Sequence, residues 1–274
     1  MTMTTETRRD FLKASLASGF ALAVQPVAAT TLQTDSTGLT AGMVQIGPLP
    51  AYRAMPAAAT GPLPTVIVIQ EIFGVHEHIQ DLCRRLAKQG YLAIAPELFY
   101  RYGDARQYAD VDSLIRELVS KVPDAEVLAD LDAAAAWAAS QGGDPQRLAV
   151  TGYCWGGRIT WLYAAHTPKV KAGVAWYGRL VGPTNPNTPR QPIDVASQLK
   201  APVLGLYAGQ DKGISLESVA QMQAALKAQK QSFAFQIYDT AAHGFNADYR
   251  PSYSPAAAQD AWKSMLAWFK RYGV

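Results

Sequence analysis

The sequence predicts an α/β domain, a mostly parallel sheet covered on both faces by helices. Three observations carry this. The chain has 274 residues, 49% hydrophobic and 17% charged, enough to bury a full core without disulfide or metal staples. The run TVIVIQ, Thr65 to Gln70, is continuously β-branched, the mark of a strand buried on both faces. Strand-like runs then alternate with helical segments of ten or more residues, the pattern of βαβ units.

Taken in order, the chain begins with a segment outside the fold. TRRDFLK, Thr7 to Lys13, precedes the apolar stretch ASLASGFALAV and the small-residue PVAAT, the charged, apolar, small order of an export signal. Arg8 and Arg9 with Phe11, Leu12 and Lys13 resemble a twin-arginine signal. The apolar stretch is shorter than the ~20 residues a spanning helix needs. The resemblance implies a precursor taken up by the twin-arginine translocation machinery and released to the periplasm or beyond without a membrane anchor. Cleavage is expected just after Ala29, making residues 1–29 the signal, 30–41 a polar, poorly ordered lead-in, and 42–274 a single α/β domain.

Within the domain, GMVQI and AYRAM read as an antiparallel pair around Gly47, Pro48 and Pro50. After TVIVIQ comes the helix HIQDLCRRLAKQG, with Ile79, Leu82, Cys83 and Leu86 at helical offsets and Gly90 as its stop. Cys83 therefore lies on the buried stripe as a small hydrophobe. The strand YLAIAP and the helix DAEVLADLDAAAAWAASQGG follow. Next come strand RLAVTG, a helix from Gly156 to about His166, and strands KAGVAWYG and PVLGLYAG. A helix near SLESVAQMQAALKAQ, strand FAFQIYD and a final helix PAAAQDAWKSMLAWFKRY complete the chain.

A net charge of +3 from 25 basic and 22 acidic residues, with no basic run or stripe, argues against nucleic acid as a partner. An uncharged or mildly anionic small molecule fits better. In parallel sheets ligands bind beyond the carboxyl ends of the strands, so the residues just after each strand hold the chemistry.

After RLAV the chain reads TGYCWGG, Thr151 to Gly157. Gly152, Cys154 and Gly156 match the nucleophile-elbow pattern with cysteine in place of serine, between strand and helix as the pattern requires. The glycines are needed because the turn strains the nucleophile's backbone while strand and helix pass too close for side chains. Cys154 then stands over a helix N-terminus, whose dipole and free N–H groups favour a thiolate.

Such a nucleophile needs a base, and the chain has four histidines. His166 closes a helix, where a cation suits the dipole. His76 and His78 flank Glu77 at a helix start, where residues two apart do not face each other, and no further ligand completes a metal set. No metal or other cofactor is implied. His243 in AAHGF follows the strand FAFQIYD, where a base belongs. Asp211 in PVLGLYAGQDKG would fix the imidazole tautomer and stabilise its charged form. The order Cys154, Asp211, His243 is that of α/β-hydrolases.

From Thr65 to the C-terminus the chain resembles the dienelactone hydrolase family. The resemblance rests on QEIFG after the first long strand, GYCWGG at the elbow, WYG at Trp176 to Gly178, GQD ending at Asp211, and HGF at His243. It implies that Glu71 accepts a hydrogen bond from the resting cysteine, and that substrate binding releases the sulfur toward the histidine. A carboxylate beside a thiol makes sense as a restraint, since negative charge disfavours the thiolate. It also implies an oxyanion hole from the backbone N–H groups of Ile72 and Trp155, the second of which the elbow rule expects as well. The aromatic residues Phe73, Phe99, Tyr100, Trp155, Tyr177 and Phe245 are expected to wall a small pocket or to pack in the core.

The resemblance weakens where the family holds its substrate's carboxylate with arginines. Here HGFNADYRP places Asn246, Ala247 and Asp248 before Arg250, and none of Arg101, Arg106 and Arg116 aligns with the family's other arginine. Two function classes follow. One is a thiol hydrolase of small esters or lactones, in a carboxymethylenebutenolidase-type reaction through an acyl-enzyme. The other is an exported thiol redox or small-molecule-binding protein on the same fold.

Overall fold

A computed structural model describes residues 32–274; the export-signal segment expected over 1–29 lies outside the described residues. Its centre is one eight-stranded sheet in the order β1-β2-β4-β3-β5-β6-β7-β8. The strands are β1 (Leu39–Ile46), β2 (Leu49–Pro56), β3 (Leu63–Ile69), β4 (Leu92–Pro96), β5 (Gly143–Tyr153), β6 (Val170–Trp176), β7 (Val203–Ala208) and β8 (Phe233–Tyr238). β1 pairs with β2, and β2 with β4, in antiparallel sense; every pairing from β4 to β8 is parallel. The α/β-hydrolase fold, an eight-stranded mostly parallel sheet flanked by helices, is thus established.

The flanking helices are α1 (Glu77–Lys88), α2 (Val111–Glu117), α3 (Asp124–Ser140), α4 (Trp155–His166), α5 (Leu216–Ala228) and α6 (Pro255–Arg271). The continuous apolar character of the central strands follows from their position: Val66 to Ile69 of β3 are all 0% exposed. A strand covered on both faces has no side that rewards a polar residue.

Two segments differ from expectation. The lead-in is bound rather than loose from Thr34 onward. Arg84 Nε donates to the Thr34 carbonyl at 2.9 Å, and Lys88 Nζ donates to Asp35 and to the Thr37 carbonyl at 3.0 and 2.8 Å. Residues 39–41 already belong to β1. The polar residues that look unstructured in isolation are partners for the charged side of α1. Helix α2 was legible only as an arginine-bearing stretch. It is started by Asp110, whose carboxylate accepts from Ser113 N at 2.8 Å as an N-cap.

Candidate active site

The elbow is built as the glycine spacing requires. Cys154 lies between β5 and α4 with φ 56° and ψ −113°, a left-handed conformation that costs a side-chain-bearing residue about 1–3 kcal/mol. Its neighbours hold it there: Cys154 N donates to the Trp176 carbonyl at 3.0 Å, and its own carbonyl accepts from Gly157 N at 3.0 Å. A Cβ on Gly152 would stand 2.1 Å from the Gly156 carbonyl oxygen, and one on Gly156 would stand 2.4 Å from that of Gln70. Only glycine allows this approach of β5, α4 and the end of β3.

After β7, Asp211 accepts from the backbone N–H groups of Gly213 and Ile214 at 2.8 and 3.1 Å on one carboxylate oxygen. Its other oxygen lies 2.7 Å from His243 Nδ1, in the loop after β8. Both side chains are only 1% exposed. Burial disfavours the imidazolium, yet the negative charges of Cys154 and Asp211 and hydrogen bonds to both outweigh it, and His243 is pushed up to about 10. The Tyr177 ring meets the imidazole edge-on at 5.1 Å.

Glu71, just after β3, is fully buried. Its oxygens have these partners: Arg250 Nη2 donates to one at 3.1 Å, the Tyr249 hydroxyl donates to the other, and His76 Nε2 stands 3.7 Å from the latter. Burial works against ionisation of this carboxyl, but Arg250 and His76 hold it well below the usual carboxylate range. Arg250, displaced along the sequence from its expected place, reaches Glu71 because the loop turns back, Ala247 N bonding Gly244 O at 2.8 Å and Arg250 N bonding Ala247 O at 2.9 Å.

Cys154, Ile72 and Trp155 line one cavity of about 460 Å³ together with Tyr177 and Arg179, and α2 supplies Ile115 to its wall. Of the other expected aromatics, Phe73 lines a neighbouring cavity of about 310 Å³ beside His76. Phe99 packs edge-on against Trp155 at 5.0 Å, and Phe245 is fully buried against Trp176 and Tyr177. Tyr100 stacks under Arg101 at 4.4 Å.

The arginines separate by partner. Arg101 is held by Asp130 through two bonds of 2.6 and 2.8 Å, and the exposed Arg106 is held by Asp104. Arg116 bonds Glu117 at 2.8 Å and lies on the cavity wall. Two wall residues were missed in the sequence. Arg158 is fixed by two hydrogen bonds, each of 2.7 Å, which its Nη1 and Nη2 donate to the two carboxylate oxygens of Asp124. Arg179 directly follows the WYG marker, which could have drawn attention to it.

The histidine pair also departs from its sequence reading. His76 is the extended N-cap of α1, so helical spacing does not govern it, and its ring stacks on that of His78 with centroids 6.1 Å apart. His78 Nδ1 meets Asp248 at 3.2 Å. Among the described residues no three His, Cys, Asp or Glu side chains are grouped to hold a metal. His166 pairs with Asp132 at 2.8 Å. Cys83 is fully buried, and burial pushes its thiol up.

Comparison with known proteins adds a family. The model of the dienelactone hydrolase family matches residues 49–273. A relative from Methylorubrum extorquens is 58% identical over 277 residues, covering 99% of this chain and 95% of its own; another from Escherichia coli is 57% identical over 260 residues, covering 93% and 96%. Both are named "Putative carboxymethylenebutenolidase". A crystal structure of a "Putative Dienelactone Hydrolase" from Klebsiella pneumoniae superposes with a TM-score of 0.84 at 58% identity, over 85% of this chain and 99% of that one.

Proposed function

Because the chain belongs to the dienelactone hydrolase family, we propose that it hydrolyses small carboxylic esters or lactones, a carboxymethylenebutenolidase-type reaction, with Cys154 as nucleophile. The observation that carries this reading is the buried Asp211–His243 pair at 2.7 Å, set beside a thiol on a strained elbow that opens into a cavity.

In this reading the Cys154 thiolate attacks the carbonyl carbon, its proton held by His243 while Asp211 stabilises the imidazolium. The oxyanion is received by the N–H groups of Ile72 and Trp155. His243 passes its proton to the departing alkoxide, leaving an acyl-enzyme; from a lactone that alkoxide stays tethered to the acyl group. Water, deprotonated by the same imidazole, releases the acid and restores the thiol. Glu71 tunes the sulfur through Arg250, the cation it shares the site with. The precursor is carried by the twin-arginine machinery and the mature protein works in the periplasm or outside the cell, a reading that rests on Arg8, Arg9 and the apolar stretch after them.

The test is turnover of a panel of p-nitrophenyl esters and simple lactones by the mature protein. We expect a burst of alcohol release, its loss in Cys154→Ala, its retention in Cys83→Ala, and inactivation by iodoacetamide matching modification of Cys154. Full turnover by the alkylated protein would exclude covalent catalysis there and favour the redox or binding alternative.

A further inference from the structure

We propose that Asp248 is a positioning residue, which Arg85 and His78 of α1 pin in place so that the next two residues, Tyr249 and Arg250, are held against Glu71 in the candidate active site. The proposal rests on the reading of Cys154 as nucleophile and adds to it a residue outside the reacting groups.

The geometry is that of an anchored loop. The Asp248 side chain is 1% exposed. It is bonded by Arg85 Nη2 at 2.5 Å and by His78 Nδ1 at 3.2 Å. Arg85 is itself oriented, because its Nε donates to Asp81 at 2.5 Å, and Asp81 also takes Arg84 at 3.1 Å and the backbone N–H of Thr34. On the other side, Arg250 donates to Glu71 at 3.1 Å and to the Tyr249 hydroxyl through Nε and Nη2 at 3.1 and 3.0 Å. The Tyr249 ring is wedged against His76 and His78, 5.1 and 5.3 Å away. One short segment thus has its carboxylate fixed to a helix and its guanidinium fixed to the site.

Buried ion pairs contribute little net stability over apolar packing, but they are directional. Here the direction has a chemical consequence. The groups facing Arg250 are Glu71, Tyr249, the Phe73 ring and the backbone at Gly244, directly after His243, where a Cβ would stand 3.3 Å from its Nη1. If the segment loosens, a cation leaves the end of the site beside His243 and Glu71 loses its partner. Both changes disfavour a thiolate.

Asp248→Asn keeps the shape and an acceptor for His78 while removing the charge that Arg85 needs. Arg85→Gln breaks the same bond from a partly exposed residue that touches neither Glu71 nor Cys154, and serves if the first variant folds poorly. Each is expected to slow iodoacetamide alkylation of Cys154 at neutral pH by roughly fivefold, the weight of moving a unit charge a few ångström in a partly shielded site. Ester kcat should fall by a similar factor with KM nearly unchanged. Because both substitutions cut one bond, the double variant should be no slower than the slower single. Unchanged alkylation in both singles, or factors that multiply in the double, would overturn the proposal. The nucleophile reading fails separately, by turnover surviving alkylation in the unsubstituted protein.

Discussion

Replacing Asp211 by Asn tests the catalytic reading most sharply. One carboxylate oxygen is committed to the N–H groups of Gly213 and Ile214 at 2.8 and 3.1 Å, so the amide oxygen must stay there. The amide NH₂ then faces His243 Nδ1 at about the 2.7 Å now spanned by the carboxylate. An NH₂ group only donates. The ring must therefore offer a lone pair at Nδ1 and carry its proton on Nε2, and it can no longer take a proton from the sulfur. The substitution also removes a charge-assisted hydrogen bond to the imidazolium, by itself about 1.5–3 kcal/mol. Together with the wrong tautomer, whose cost in a serine triad is about 10⁴ in kcat, the expected loss is about 10³–10⁴-fold, or roughly 4–5.5 kcal/mol of barrier. The measurement is kcat on p-nitrophenyl acetate beside a thermal melt that shows the fold retained. Since Asp211 is one of the two charges that push His243 up to about 10, alkylation of Cys154 at neutral pH should slow as well. Activity within tenfold of the parent would refute the assignment of Asp211.

Three further outcomes are expected. Gly156→Ala would place a Cβ 2.4 and 2.5 Å from the carbonyl oxygens of Gln70 and Ile69, a clash with backbone that cannot rotate aside, costing about 3 kcal/mol or more in denaturant unfolding; a loss below about 1 kcal/mol would mean that the approach is not as tight as described. For Glu71 the folded value lies below its ordinary 4.5, so its ion pair stabilises the fold above that pH and is lost as pH falls, with a slope approaching ~1.4 kcal/mol per pH unit. Glu71→Gln should start about 3–5 kcal/mol less stable near neutrality and lack that slope on acidification, and parallel pH curves for the two proteins would contradict the sign. Changing Arg8 and Arg9 together to Lys should retain the precursor in the cytoplasm, as cell fractionation would show, whereas normal export would remove the twin-arginine reading.

What the sequence determined was what short-range patterns encode. Continuous apolar strands alternating with amphipathic helices require a covered parallel sheet, and the strand-end rule then singles out Cys154, Asp211 and His243 as the residues to bring together. The glycine spacing in TGYCWGG was legible for the same reason, because a close backbone approach leaves its mark at the very positions that must lack a side chain. Partners were not legible. Glu71 and Arg250 lie 179 residues apart, and nothing along the chain says that this guanidinium meets that carboxylate. Thr34 and Asp81, 47 residues apart, turn a segment that reads as loose into a bound one. Helix α2, too short to show a clear period, became a cavity wall only once the chain had folded around Cys154. Periodicity and turn chemistry are set by neighbours along the chain, but which buried charges meet is decided by side-chain directions from distant elements, and those exist only in the folded molecule.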